Sequence, residues 1–209
     1  MALTVGSLFA GAEGFGQGFE VAGFEVLWQV EINRDAVSVL ERHYPKVRRY
    51  RDVTLVDPAE LDAVDVVTFG SPCQDLSVAG KRAGLDGERS GLFHEAVRII
   101  GGLRPAPAFC VWENVPGALS SAGGRDFGTA LDALADIGAL DIVWRVLDAQ
   151  WFGVAQRRRR IFIVADFRGE RAASVLFEPT SLRGDSEESG EAGEGTPSVP
   201  ESSAGGGGV

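Results

Sequence analysis

The 209-residue chain contains few cysteine and histidine residues, two of each. Two cysteines cannot build a disulfide scaffold, and His43 and His94 are too far along the chain from either cysteine to give a zinc-type spacing. We therefore expect a reducing compartment and no bound metal.

The chain also lacks a long apolar run and a leader. No apolar segment approaches the roughly 20 residues of a membrane-spanning helix, and the first residues do not show the basic-then-apolar pattern of a signal peptide. We therefore expect a cytoplasmic protein with no membrane partner. The GxGxxG pattern is missing from the first glycine-rich turn, which disfavours NAD and FAD as cofactors.

Negative charge is abundant but unevenly placed. Eight acidic and two basic residues of segment 169–209 account for −6 of the formal charge of −10, so segment 1–168 carries only −4. Segment 169–209 is acidic and rich in Gly and Ser, and its part 184–209 has almost no apolar residues, which predicts a disordered tail. Residues 1–168 form the predicted catalytic domain. Its basic run Arg157–Arg160 is compatible with a nucleic-acid partner.

Short β-rich runs alternate with helical patterns along residues 3–167. This alternation predicts an α/β fold with a mainly parallel sheet and helices on both faces. Strands are expected at 3–9, 25–30, 64–69, 108–112, 142–147 and 161–165, with another short one just before Asp52. Helices are expected from about Phe15, at 34–43, across 92–103 and across 127–134.

A cofactor pocket is predicted at the ends of the first strands. Gly11 and Gly14 lie in a strand-to-helix turn, where backbone amides can approach an anionic group. Glu31 ends the second strand and can accept from ribose hydroxyls, and Asp52 follows the third strand, where it can accept from an adenine amino group. Each feature alone also fits a structural turn or a helix cap, but together they describe an adenosine-type pocket.

Cys73 follows a buried strand at the end where open α/β sheets bind ligands. Pro72 and Gln74 place it in a turn beside a glycine-rich loop, which favours a nucleophilic thiolate over a packed thiol. Cys110, inside an apolar run, fits the packed thiol instead. Glu113 ends the next strand and would share the cleft with Cys73, although a carboxylate that caps the following turn is the alternative.

The basic run adds a third element. Gln156, Arg158 and Arg160 are two residues apart on entry to a strand, so they should share one face while Arg157 and Arg159 take the other. Four consecutive arginines are more often a solvated surface, but here the run leads directly into an apolar strand.

In this combination the sequence resembles the cytosine-C5 DNA methyltransferases over about residues 3–167. The matching pieces occur in the family's order: Phe9-Ala10-Gly11 with Gly14, Glu31, Asp52, Gly70-Ser71-Pro72-Cys73-Gln74, Glu113-Asn114-Val115, and Gln156-x-Arg158-x-Arg160.

The resemblance implies a Rossmann-like S-adenosylmethionine-dependent methyltransferase sheet, and double-stranded DNA from which a cytosine is flipped. It implies that Cys73 adds to C6 of the cytosine, that Glu113 holds or protonates N3, and that Arg158 and Arg160 steady the base and the carboxylate. It also implies cofactor contacts by Phe9, Gly11, Gly14, Glu31, Ile32, Asp52, Val53 and Leu92, and substrate contacts by Gln74, Ser77, Lys81, Arg89, Asn114 and Gln156.

The sequence departs from the family pattern in two places. Glu13 stands where the family usually has a second glycine in the cofactor turn. An acidic tail follows residue 168 in place of a target-recognition region and a returning C-terminal segment. We therefore expect a catalytic half that is either truncated or completed by a second chain. A methyltransferase acting on cytosine in transfer RNA, and a non-catalytic remnant that binds S-adenosylmethionine or DNA, are the alternatives.

Overall fold

The computed structural model describes residues 2–71 and 91–177. In this part of the chain strands and helices alternate as predicted. In chain order they are β1 (Thr4–Leu8), α1 (Gly14–Val21), β2 (Glu25–Val30), α2 (Arg34–His43), β3 (Arg48–Tyr50), β4 (Val66–Phe69), α3 (Gly91–Gly102), β5 (Phe109–Asn114), α4 (Arg125–Asp136), β6 (Asp141–Asp148), β7 (Arg159–Asp166) and α5 (Ala172–Leu176).

The strands form one sheet in the order β3-β2-β1-β4-β5-β7-β6. Strands β1 to β5 run parallel to one another, and β7 is antiparallel to both β5 and β6. The carboxyl ends of β1 to β5 therefore meet the beginning of β7 at one edge of the sheet, which we call the ligand edge. The predicted mainly parallel α/β sheet is confirmed.

Helices cover both faces of the sheet. Neighbouring residues of β4 point to opposite sides, so that Val66 and Val67 belong to separate clusters of buried side chains. Leu40 of α2 packs in the cluster of Val66. Ile99 of α3 and Leu134 of α4 pack in the cluster of Val67. The prediction of helices on both faces is confirmed by this division.

A β-bulge adapts β2 to its neighbour. The pairing of β1 with β2 shifts register between Val5 and Gly6, and Leu27 is the extra residue. The shift turns the fully buried Trp28 side chain toward β1, where its indole lies over Gly6. A Cβ atom at position 6 would lie only 2.2 Å from that ring, so only glycine fits there.

Aromatic side chains pack behind the ligand edge and hold β4 and β5 against the helices. The Phe69 and Trp112 rings stack with their centroids 5.8 Å apart, and the Phe93 ring of α3 lies 4.8 Å from that of Trp112. Phe127 of α4 lies on the other side of Trp112. Because all four side chains are buried, the residues that follow β4 and β5 start from a rigid base.

None of the helices within residues 2–71 and 91–177 is long and apolar enough to span a bilayer. Helix α5 ends the first of two compact units, which comprises Met1–Leu176. The domain boundary at residue 168 stays a prediction, and α5 lies beyond that residue. The predicted disorder of the remaining residues, 178–209, lies outside the described part of the chain.

Candidate active site

A cavity of about 500 Å³ opens at the ligand edge between β1, β4, β5 and β7. Its walls come from four segments that are distant in sequence: the end of β1 with the glycine turn, the end of β4 with the residues after it, the end of β5, and the beginning of β7. The lining residues include Phe9, Gly11, Gly14, Phe15, Gly70, Ser71, Glu113, Asn114, Arg158, Arg160 and Phe162.

Glu113 lies between two arginines in this cavity. Its Oε1 is 3.1 Å from a terminal nitrogen of Arg158 and 3.1 Å from Nε of Arg160. Both contacts use the same oxygen, and Oε2 has no hydrogen-bond partner among the described residues. All three side chains are partly exposed, so solvent weakens the ion pairs and their main effect is to orient the carboxylate. Glu113 therefore presents one unengaged oxygen to a ligand.

The end of β4 is fixed beside this carboxylate. The indole N–H of Trp112 donates to Oγ of Ser71 at 3.2 Å in a buried contact. Asn114 accepts the backbone N–H of Val115 through Oδ1 at 2.7 Å, while its buried Nδ2 has no partner among the described residues. Ser71 is the last described residue before the gap, and Cys73 is two positions further along the chain.

A second cavity of about 360 Å³ adjoins the first, because Phe9 and Gly70 line both. Its walls come from the ends of β1 and β2, the residues after β3, and the first turn of α3. The remaining lining residues are Val30, Glu31, Ile32, Arg51, Asp52, Val53 and Leu92.

Glu31 fixes the glycine turn to the end of β2. Its Oε2 accepts the backbone N–H of Gly11 at 2.7 Å, and its Oε1 accepts that of Asn33 at 2.7 Å. Each carboxylate oxygen retains a second acceptor site. Asp52 caps the turn that follows β3 through Oδ1, which accepts from the backbone N–H and the hydroxyl of Thr54. Its Oδ2 has no partner among the described residues.

Glu13 is a buried acid beneath the glycine turn. It caps α1 from a left-handed backbone conformation (φ 64°), and its Oε1 accepts from Oγ of Ser7 and from the backbone N–H of Gly16. Its Oε2 is buried without a hydrogen-bond partner among the described residues. Burial raises the pKa of Glu13 above its ordinary value, although the hydrogen bonds from Ser7 and Gly16 and the nearby Gln29 amide act in the opposite direction.

The structure brings together most of the predicted site residues that it describes. Glu113, Arg158, Arg160, Gly11, Gly14 and Asn114 line the first cavity, and Glu31, Ile32, Asp52, Val53 and Leu92 line the second, with Phe9 in both. Gln156 is exposed and lines neither cavity. Cys73, Gln74, Ser77, Lys81 and Arg89 lie outside the described residues.

Sequence reasoning missed two aromatic residues of the first cavity. Phe15 of α1 and Phe162 of β7 contact each other edge to face, with centroids 6.1 Å apart, and bridge the glycine turn and the arginine strand. Phe162 is two residues beyond Arg160, so the same strand alternation that grouped the arginines could have found it. Phe15 has no comparable signal in the sequence.

The second cysteine is placed in the core, as its apolar surroundings suggested. Cys110 is buried, and burial raises the pKa of its thiol to about 12. Within residues 2–71 and 91–177 no group of three or more His, Cys, Asp or Glu side chains is arranged to hold a metal ion.

The two cavities fit S-adenosylmethionine in chemical terms. Paired acceptors on Glu31 suit a ribose, apolar Phe9 and Leu92 suit a flat ring, and the amino end of α1 lies in the adjoining cavity. The fold is the Rossmann-like fold of the S-adenosylmethionine-dependent DNA methyltransferases. A family model described as C-5 cytosine-specific DNA methylase matches residues 3–190, and the chain belongs to that family.

Three relatives illustrate the match. DNA N-6-adenine-methyltransferase of Escherichia phage P1 is 34% identical over 233 residues, covering 87% of this chain and 31% of that protein. Type II methyltransferase M.Eco47II of Escherichia coli is 36% identical over 177 residues, covering 84% of this chain and 42% of that protein. The solved structure of a prophage-encoded DNA modification methyltransferase of E. coli gives a TM-score of 0.66 at 26% identity, covering 80% of this chain and 47% of that one.

The chain therefore spans between about a third and a half of the length of these relatives. The phage P1 protein is named as an adenine methyltransferase, and more than two thirds of that protein lies outside the match.

Proposed function

We propose that the chain is the catalytic half of an enzyme that transfers a methyl group from S-adenosylmethionine to C5 of cytosine in DNA. The observation that carries the proposal is the arrangement of Glu113, held by Arg158 and Arg160 with Oε2 unengaged, in a cavity bordered by the strand end that leads to Cys73.

The chemistry explains these residue types. Carbon C5 of cytosine is too weak a nucleophile to accept a methyl group directly. Addition of the Cys73 thiolate to C6 moves electron density to C5 and makes it enamine-like. Glu113 would assist by holding or protonating N3, which draws electrons away from C6 and favours the addition. Loss of the C5 proton after methylation then restores the double bond and expels the Cys73 thiolate.

S-adenosylmethionine supplies an electrophilic methyl group when it is bound. In the proposal, Glu31 accepts from the ribose hydroxyls, Asp52 uses its unengaged Oδ2 for the adenine amino group, and Phe9, Ile32, Val53 and Leu92 flank the ring. The glycine turn at Gly11 and Gly14 lets the cofactor approach the backbone at the amino end of α1. Asn114 would use its unpaired Nδ2 to orient the turn before Cys73.

The proposed macromolecular substrate is double-stranded DNA with a flipped cytosine. In this reading Arg158 and Arg160 steady the flipped nucleotide as well as Glu113. Gln74, Ser77, Lys81 and Arg89 would contact the DNA from the loop after Cys73, and Gln156 would contact it from the turn before β7. Target recognition would come from a second chain or from a segment that the matched part of the relatives does not contain.

The second candidate is the non-catalytic remnant. Such a protein would bind the cofactor or DNA without turnover. In that case the cavities would still bind S-adenosylmethionine, but no nucleoside would become methylated.

The test is to identify the methylated nucleoside. The chain is incubated with S-adenosylmethionine labelled in its methyl group and with either duplex DNA or transfer RNA. The nucleic acid is then digested, and the products are separated by mass. The proposal predicts labelled 5-methyldeoxycytidine, lost in Cys73→Ala and kept in the matched control Cys110→Ala. Label in transfer RNA alone would favour the alternative substrate, label in adenine would refute the cytosine chemistry, and no label would favour the remnant.

A further inference from the structure

A second surface depression lies on the other side of the arginine strand. It is an open cleft of about 640 Å³ between the end of β6 and the beginning of β7, and its lining residues include Gln150, Trp151, Arg157 and Arg159. We call it the β6–β7 cleft. Strand alternation separates it from the active site, because Arg158 and Arg160 point into the catalytic cavity while Arg157 and Arg159 point into the cleft.

The two arginines share the cleft with one acidic residue, Asp148, whose carboxylate accepts from the backbone N–H groups of Gln150 and Arg158 and from the Gln150 amide. Within residues 2–71 and 91–177, neither the Arg157 nor the Arg159 guanidinium makes a hydrogen bond or an ion pair. Both residues are exposed. By contrast, Arg158 and Arg160 both pair with Glu113. The cleft therefore presents two guanidinium groups that have no carboxylate partner among the described residues.

Trp151 lies exposed in the same cleft. The residue is 79% exposed, although an indole normally stabilises a protein by being buried. The turn that holds it is well fixed: the backbone N–H of Ala149 donates to the carbonyl of Arg158 at 3.0 Å, and the backbone N–H of Arg158 donates to Asp148 at 3.0 Å. The indole therefore lies on a hydrogen-bonded turn and lines the cleft together with the two arginines.

We propose that the β6–β7 cleft binds the sugar-phosphate backbone of the DNA strand beside the flipped nucleotide. Guanidinium groups bind phosphate oxygens with two parallel N–H donors, and an exposed indole packs against a sugar or a base face. The cleft opens at the ligand edge, next to the cavity proposed for the base. A strand with one nucleotide in that cavity therefore carries neighbouring phosphates past the cleft. This inference rests on the proposed function, because it takes the cavity as the base-binding site.

The test compares two double variants that lose the same charge. Arg157→Ala with Arg159→Ala removes the guanidinium pair of the cleft. Arg42→Ala with Lys46→Ala removes two exposed positive charges from the end of α2 and the loop after it, at the opposite edge of the sheet. Binding of a fluorescent duplex is measured at several salt concentrations, and binding of S-adenosylhomocysteine checks that each variant keeps its cofactor site.

Each phosphate contact contributes about 0.9 to the slope of log K against log salt concentration, so loss of two contacts should reduce its magnitude by about 1.8. The cleft variant should show this reduction, and the control variant should not. Trp151→Ala should weaken binding without changing the slope. If the cleft variant binds DNA with the same affinity and the same salt slope as the control variant, the inference is overturned. If its DNA binding is unchanged but its molecular mass in solution differs from that of the unmodified chain, the inference is also overturned, and the cleft is then a protein interface.

Failure of the inference and failure of the proposed function are distinguishable. If the chain binds DNA through the cleft but methylates nothing, the inference stands and the catalytic proposal fails. If cytosine is methylated equally well by the cleft variant, at equal DNA affinity, only the inference fails.

Discussion

Replacement of Glu31 by glutamine should damage both the fold and the cofactor site. The carboxylate accepts two backbone N–H groups, from Gly11 and Asn33, at 2.7 Å each. Glutamine keeps one acceptor oxygen but turns an NH₂ group toward the other N–H, so one charge-assisted bond is lost. Such a bond contributes roughly 1.5–3 kcal/mol, so the free energy of unfolding should fall by about 2 kcal/mol.

The same change should weaken cofactor binding. If the two oxygens of Glu31 also accept from ribose hydroxyls, an amide nitrogen at one position removes an acceptor and adds a donor. A loss of about 1.5–3 kcal/mol corresponds to roughly a 10- to 100-fold increase in Kd. The matched control is Glu25→Gln, because Glu25 begins the same strand, is exposed and lines neither cavity.

The assay is calorimetric titration with S-adenosylhomocysteine, combined with urea unfolding of the free protein. Glu31→Gln should change both quantities and Glu25→Gln neither. If Glu31→Gln unfolds like the unmodified chain and binds the ligand with the same Kd, the structural role given to Glu31 is wrong. A normal Kd in a destabilised variant would refute only its ribose contact.

Three further changes test the structure around the site by urea unfolding. Gly6→Ala should cost roughly 3 kcal/mol because its Cβ would meet the Trp28 ring at 2.2 Å, and an unchanged stability would disprove that packing. Because burial raises the pKa of Glu13, its folded state binds a proton more tightly than the unfolded chain, so this residue should lower stability as pH rises above about 4.5. Glu13→Gln should flatten that decline, and an unaltered pH profile would contradict it. The hydrogen bond from Arg171 holds the pKa of Asp166 at about 2, so the stability that this residue contributes is present above about 3.8 and is lost as pH falls toward 2. Asp166→Asn should therefore destabilise the protein by about 2 kcal/mol at pH 7 and by progressively less in acid, and a loss independent of pH would argue against the ion pair.

Much of the fold could be predicted because the local patterns agree with the tertiary structure. Strand β2 and helix α2 have the predicted bounds, Glu25–Val30 and Arg34–His43. The alternation of the arginine run correctly separated Arg158 and Arg160 from Arg157 and Arg159. These are short-range periodicities, which a sequence displays directly.

Features that depend on close approach between distant segments were not predictable in this way. The bulge at Leu27 accompanies the packing of Trp28 over Gly6, two residues that belong to different strands. Glu13 was noted only as a departure from a glycine pattern. Its left-handed backbone and its bonds to Ser7 and Gly16 depend on how α1 meets β1.

The order of the site elements along the chain did predict which of them share an edge of the sheet. Parallel strands bring their carboxyl ends together, so Glu31, Asp52 and Glu113 had to lie on one side. The division into two cavities was not visible in the sequence, because it depends on the Phe9 side chain and Gly70, which line both.

In the proposed reaction one thiol of this chain, that of Cys73, attacks cytosine. Duplex DNA that contains 5-fluorocytosine cannot lose the group at C5, so the enzyme should remain attached to it after methyl transfer. Peptide mapping of a denaturation-resistant adduct by mass spectrometry then identifies the attached residue. We expect the nucleotide to be attached to Cys73. Attachment at the buried Cys110, or a complete absence of the adduct while DNA and cofactor are both bound, would contradict it.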